Sequence, residues 1–361
     1  LVDLGADLHY RTQRIDASVG LRGGAESEER RLANRDELSG AQAAQKTDLL
    51  RQADFDRGFL EAHGRAQVQP VRFMTVVFDG TASILRHDTP EVNPDDRDEQ
   101  LLTGRAGVQI RLSEHLTSDL SLYGSRYETV YLKAIRSAEN NVQRALRLRP
   151  SVTWTPHRRT RVRLTSEVRA TYTVDEFVLA GRQARDQSAR ELRYESEIEQ
   201  DLGQKIRILV RASYSDLRLG RFLDEAFAEI PFDTLRTTSG WIRVQSSGRI
   251  QASVGVRLFV RSDFNRTTTV RYSTSDEPDR RRSFTRPGRE KISQIGPTAT
   301  ISWPLRSRSA LVFDGWFVVQ RITQTLYGGL PEEQADDILK SARAGRRSII
   351  PNLSISAIWR F

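Results

Sequence analysis

Arg161-Val162-Arg163-Leu164-Thr165-Ser166-Glu167-Val168-Arg169-Ala170-Thr171-Tyr172-Thr173-Val174 is the stretch from which the architecture follows. Val162, Leu164, Val168, Ala170, Tyr172 and Val174 alternate with Arg161, Arg163, Thr165, Glu167, Arg169, Thr171 and Thr173. A helix would scatter these charges around its circumference, whereas a strand sends them all to one face. The same period governs 250–261, where Ile250, Ala252, Val254, Val256, Leu258 and Val260 alternate with Gln251, Ser253, Gly255, Arg257 and Arg261. Both segments predict strands with one apolar and one polar face, well beyond the usual length of about five or six residues.

Extended outward, the pattern divides the chain into about fifteen strands. They lie at roughly 1–11, 14–24, 56–69, 72–86, 102–113, 117–131, 141–155, 159–176, 189–201, 204–220, 234–246, 249–264, 291–303, 308–323 and 347–361. The connections alternate as well. Short ones fall at Thr12-Gln13, Pro70-Val71, Ser113 to Thr117, His157-Arg158, Gly203, Ser247-Gly248 and Pro304 to Ser307. Long polar ones fall near 25–55, 87–101, 132–140, 177–188, 221–233, 265–290 and 324–346. Short turns on one rim and long loops on the other, joined by strands long enough to cross a bilayer at a tilt, predict an all-β, antiparallel transmembrane β-barrel. A soluble propeller would account for the alternation but not for strand length and loop asymmetry together. Segment 25–55, with Leu32, Leu38, Ala41, Ala43, Ala44, Leu49 and Leu50, has helical propensity and reads as a helical surface loop or an inward-folded constriction.

Bulk composition does not oppose this. Hydrophobic residues make up 38% of 361 residues and mean hydropathy is −0.53, yet a spanning strand shows lipid only every second side chain. No run of about 18 apolar residues is present, which excludes a transmembrane helix. The absence of cysteine excludes a disulfide framework, a Cys-ligated zinc site and thiol catalysis. Net charge is +9, carried almost wholly by arginine. Basic chains bind nucleic acid, anionic lipid or acidic solutes; a barrel wall makes nucleic acid the least apt of these.

The chain closes with Ile349-Ile350-Pro351-Asn352-Leu353-Ser354-Ile355-Ser356-Ala357-Ile358-Trp359-Arg360-Phe361. An amphipathic last strand ending on phenylalanine resembles the C-terminal signal of bacterial outer-membrane β-barrel proteins. That resemblance covers the whole chain by pattern. It implies an outer-membrane location, contact with outer-membrane lipid and lipopolysaccharide, and recognition of Trp359 and Phe361 by the barrel-assembly machinery. It also implies that the short turns are periplasmic and the long loops external. Neither the arginine-glycine loop motif of assembly-factor barrels nor a plug domain of energy-coupled receptors is found. Tyr10, Trp154, Trp303 and Trp359 then mark the periplasmic lipid interface, and Tyr131, Tyr172 and Tyr214 the other. The first four residues, Leu1-Val2-Asp3-Leu4, already alternate and show no signal peptide. Upstream sequence is therefore expected, with at least one further strand, because bacterial single-chain barrels have even strand numbers and sixteen is the simplest total.

Alternate residues should face the lumen. They include Arg147, Arg149, Arg161, Arg163, Arg169, Arg207, Arg211, Arg243, Arg257 and Arg261, with Glu195, Glu197 and Glu199 on the strand between two arginine-rich neighbours. This lattice reads either as cross-strand ion pairs that stiffen the wall or as an arginine ladder that favours anionic solutes. Catalytic chemistry finds little support. His9 and His63 share the lumen face with Asp7 and Glu61, but no Ser-His-Asp or metal-ligand spacing emerges. Asp88, Glu91, Asp95, Asp96, Asp98 and Glu99 offer oxygen ligands for calcium without an EF-hand pattern. The sequence thus predicts a cofactor-free channel or transporter barrel for polar, anionic solutes; the alternative is a non-conducting anchor or translocon barrel that binds envelope proteins.

Overall fold

A computed structural model describes residues 1–33, 39–90, 93–175, 186–223, 228–248, 250–274, 277–306 and 309–358. Each of the fifteen expected strands is found among the described residues. The first eight strands are β1 (Val2–Arg11), β2 (Ile15–Glu28), β3 (Phe55–Val71), β4 (Met74–Asp88), β5 (Arg97–Ser113), β6 (Leu116–Tyr131), β7 (Asn141–His157) and β8 (Thr160–Asp175). The remaining seven are β9 (Gln187–Leu202), β10 (Ile206–Leu223), β11 (Ala228–Ser247), β12 (Gln251–Thr274), β13 (Glu277–Arg306), β14 (Ser309–Leu326) and β15 (Arg346–Ile358). Each pairs antiparallel with its sequence neighbours, giving one fifteen-stranded meander in simple order. Among the described residues β1 and β15 each have one partner strand, so the sheet is not closed.

Register converts the period-two pattern into two coherent faces. Val162 lies opposite Trp154 and Ile198, and Val168 opposite Leu148 and Leu192. Val254 lies opposite Val244 and Ala299. The belt on which the architecture depends is bare: Leu164 is 52% exposed, Val168 51%, Val254 62% and Val256 50%. Among the described residues no second sheet and no helix covers it. On the opposite face Ser151, Thr165 and Thr298 are buried beneath longer polar neighbours. Side chains crowded on one face and splayed on the other are what a curved wall imposes. A contiguous apolar surface of this extent does not persist in water. Hydrocarbon satisfies it, and an antiparallel sheet is one of only two ways to span hydrocarbon with backbone groups paired. No helix among the described residues is long and apolar enough to cross a membrane; the strands cross it.

Turn chemistry sets the short rim. Gly203, at φ 81°, takes the left-handed turn between β9 and β10 that a Cβ would disfavour. At Pro70-Val71 the expected turn lies two residues later, at Arg72-Phe73, because Pro70, which has no N–H to donate, is absorbed in a register shift between Val68 and Val71.

Two expected loops are instead strand. Positions 265–274 and 277–290 prolong β12 and β13 and pair with each other, with Thr269 opposite Thr285, Val270 opposite Phe284 and Tyr272 opposite Arg282. Most of 221–233 likewise prolongs β10 and β11. Polar composition describes a solvated hairpin as well as a loop, and β-branched threonines favour the former. Of the remaining connections, 25–55 continues β2 and then forms helix α1 (Gly40–Arg51), whose N-cap Ser39 and Gln42 make a reciprocal capping box. Helix α2 (Ala335–Ala344) lies between β14 and β15. Its Ile338 and Ala342 are buried with Val270 and Tyr272, packed by Phe284, Leu326 and Leu330. A register shift between Asp263 and Arg266 places Val270 and Tyr272 on the polar face, so α2 rests on that face at the loop rim.

Candidate functional site

Three rows of side chains cross the polar face of β6 to β10. One runs Ser121, Arg149, Glu167, Arg193, Ser215; the next Asp119, Ser151, Thr165, Glu195, Ser213; the third Thr117, Thr153, Arg163, Glu197, Arg211. Below them Arg161 faces Glu199. The charge-lattice residues foreseen on these strands share one face, opposite the apolar belt. Of the cross-strand ion pairs that the sequence allowed here, one forms, Arg211 with Glu197. Arg163 is opposite Glu197 and Arg161 opposite Glu199, yet neither arginine makes an ion pair among the described residues. Glu197 is approached instead by Arg211 (3.9 Å), Glu195 is held by Arg193 on its own strand (2.5 Å), and Arg207 binds Asp201 (2.6 Å). Arg149 reaches Glu167 at 3.8 Å. Arg169, between Arg147 and Glu191, is also without an ion pair among the described residues.

Other arginines stack rather than pair. Arg147 lies 5.1 Å from the Tyr123 ring, Arg243 4.7 Å from Trp241 and Arg257 5.3 Å from Trp316; Arg261 contacts Asp263 at 3.7 Å. The ring contacts immobilise a guanidinium without neutralising it, whereas Arg261 is paired with a carboxylate. Arg193, Asp119, Tyr123 and Trp316 are functional neighbours that the sequence reading passed over. Each had the correct parity, but only arginine-dense strands were followed.

Between β5 and β8 the polar face opens into a groove of about 450 Å³ lined in part by Asp119, Arg149, Arg161 and Arg163. Asp119 accepts hydrogen bonds from Gln109 (2.9 Å) and Ser151 (3.4 Å).

No protein-family model matches the chain, and no curated protein matches it in sequence. Several solved structures are similar to it in fold, three of which follow. A siderophore receptor, PirA from Acinetobacter baumannii, is 7% identical with a TM-score of 0.47 over 98% of this chain and 70% of that one. A ferric enterobactin receptor mutant, PfeA from Pseudomonas aeruginosa, is 10% identical with a TM-score of 0.45 over 97% and 68%. The copper transporter OprC is 9% identical with a TM-score of 0.45 over 93% and 60%.

The aromatic markers divide. Trp154 and Trp303 stand half exposed on the apolar face near the turn rim, as does Tyr10 near the end of β1. Tyr194 and Tyr214 stack on that face with ring centroids 6.4 Å apart. Tyr131 departs from expectation. It is opposite Arg97 on the polar face, with the Arg136 guanidinium 4.0 Å above its ring. Trp359 and Phe361 lie outside the described residues.

The remaining candidates resolve into structure. His63 Nε2 sits 3.1 Å from Asp7 and its Nδ1 3.9 Å from Glu61, a cross-strand contact on the polar face. The acidic loop spends its carboxylates on cations. Asp95 meets Arg97 and Arg136 at 2.5 Å, Asp96 meets Lys133 at 3.3 Å, Glu99 meets Arg97 at 2.6 Å and Asp88 meets Arg86 at 3.1 Å. Among the described residues no group of His, Asp or Glu is placed to hold a metal; Glu91 lies outside them. The loop is a latch. Lys133 donates to the carbonyls of Pro90 (3.0 Å) and Asn93 (2.6 Å), and Asn93 donates to Gln52 just beyond α1 (2.7 Å). Burial pushes the Asp96 carboxyl up, but the Thr89 hydroxyl and amide and the Lys133 ammonium more than offset it and hold it below its ordinary 3.8.

Proposed function

We propose that this chain is the wall of a gated outer-membrane transporter, a β-barrel that passes polar solutes and favours anions. The single observation that carries this reading is the pairing of a bare apolar belt with guanidiniums on the opposite face, Arg161, Arg163 and Arg169, that no carboxylate among the described residues neutralises. The belt supports immersion in hydrocarbon. The free guanidiniums support attraction of anions into the water-facing side. Helix α2, folded over the polar face at the loop rim, supplies a movable element for gating. In this reading Trp154, Trp303, Trp359 and Phe361 serve the lipid interface and recognition by the assembly machinery, and lipopolysaccharide surrounds the loop rim. Purified protein in a planar bilayer under a potassium chloride gradient is expected to give a reversal potential on the anion side, which R161Q/R163Q/R169Q shifts towards zero. Folded protein that never conducts would remove the proposal.

The latch joining the α1, 89–96 and 132–140 connections favours a second reading, a non-conducting anchor whose ordered loops bind envelope proteins. Cross-linking in intact cells separates the two. A stoichiometric envelope partner together with zero conductance supports the anchor.

A further inference from the structure

We infer that the groove between β5 and β8 is a binding site for a small polyhydroxylated oxyanion, a sugar acid or a sugar phosphate. This rests on the reading of the polar face as the water-filled side of the wall. Three guanidiniums line the groove, from Arg149, Arg161 and Arg163. Arg161 and Arg163 make no ion pair among the described residues, and Arg149 makes only the long contact to Glu167 at 3.8 Å. Guanidinium forks match the planar, paired oxygens of carboxylate and phosphate. One end of the groove is thus an oxyanion receptor.

The rest of the lining has a different chemistry. Thr117, Ser121 and Thr153 present hydroxyls, each able to donate and accept. The one carboxylate in the lining, Asp119, is fixed by Gln109 at 2.9 Å and Ser151 at 3.4 Å, leaving lone pairs to accept from ligand hydroxyls. A bare inorganic anion would use the arginines and leave this row unused. A neutral sugar would use the row and leave the arginines unused. Only a ligand carrying both groups satisfies the whole groove, whose volume of about 450 Å³ suits a small solute. The site sits near the turn rim: Thr117 is the second residue of β6 and Arg161 the second of β8. At about 3.3 Å per residue its centre is on the order of 10 Å above that rim, which makes it a holding point on the exit side of the wall.

The test titrates glucose 6-phosphate, gluconate, glucose and inorganic phosphate into the purified full-length chain in detergent, followed by calorimetry. Saturable binding of glucose 6-phosphate or gluconate is expected, weakening as potassium chloride rises, with glucose and inorganic phosphate each at least about tenfold weaker. Which of the two organic anions binds distinguishes phosphate from carboxylate. R161Q and R163Q, made singly, are each expected to weaken binding by about tenfold, whereas K46Q, at an exposed position of α1, leaves it unchanged. Glucose or inorganic phosphate binding as tightly as the organic anions, or wild-type affinity in folded R161Q and R163Q, would overturn the site. Binding without bilayer conductance would support the site and refute transport; conductance without binding would do the reverse.

Discussion

Val168→Arg puts the membrane assignment of the apolar face at risk. Along β8 the apolar-face residues run from Val162 to Val174, a twelve-residue step. At about 3.3 Å per residue this is about 40 Å of strand, or about 30 Å along the bilayer normal at a tilt of about 40°, enough to cover the apolar band of about 25 Å of an outer-membrane barrel. Val168 is near its centre, flanked by Leu148 and Leu192, and is 51% exposed. An arginine at the bilayer midplane of such a barrel costs about 2–4 kcal/mol, and at the interface about 0–1 kcal/mol. Leu202 is the matched control: an apolar-face residue at the turn-rim end of β9, also half exposed. In water both positions would be ordinary exposed sites, each within about 0.5 kcal/mol of wild type. The assay is equilibrium urea unfolding from lipid vesicles, followed by tryptophan fluorescence. V168R should lose about 2–4 kcal/mol and L202R at most about 1 kcal/mol. Equal, negligible losses would refute the reasoning, because the bare belt would then be touching water.

The latch and the helix on the polar face give two further predictions. Asp96 has a folded pKa below its unfolded one, so its contribution is complete above pH 3.8 and is lost as pH falls through the lower folded value. The Thr89 amide, which donates to Asp96 at 2.5 Å, should titrate by NMR with a midpoint under 3.8; a midpoint at or above 3.8 would show that the carboxylate is not held. K133M should raise that midpoint. Ile338 is fully buried between α2 and the β12–β13 extension, so I338A should cost about 2–5 kcal/mol of packing. That exceeds what a ten-residue helix retains alone. Tryptic cleavage at Lys340 or Arg343 should rise sharply while urea stability of the strands stays put; unchanged cleavage would mean that α2 is anchored by something other than Ile338.

Legibility followed the physics of each level. Fifteen strands were readable because an interface between lipid and water enforces strict alternation, as at 160–174 and 250–261. The 265–290 hairpin was not, because it stands above the membrane, where Thr269 opposite Thr285 needs no apolar partner. Face assignment at the site was readable from parity, and it held for Arg147, Arg163 and Glu197 alike. Pairing was not. Whether Glu197 turns to Arg163 or to Arg211, both directly opposite, depends on rotamers and tilt that no periodicity encodes. Tyr131 shows the same limit, since aromatic residues near a rim suit either face.

Segregation of charge, more than its total, is what distinguishes this face. On the patch from β6 to β11, six arginines (149, 161, 163, 193, 211 and 243) stand against five carboxylates (119, 167, 195, 197 and 199), a net of +1. A charge that small over so wide a surface, screened within about 8 Å at physiological salt, yields only modest bulk anion preference. The local balance differs. Glu195 is held by Arg193 at 2.5 Å and Glu197 is approached by Arg211 only at 3.9 Å, while Glu199, opposite Arg161, makes no ion pair among the described residues; Arg161 and Arg163 likewise make none beside the groove. A lattice built only for stiffness gains most when each cation meets the acid opposite it, and Arg163 does not. The two properties should therefore separate in one recording: a reversal potential displaced only modestly to the anion side, together with saturable block of the current by a hydroxylated organic anion and none by chloride.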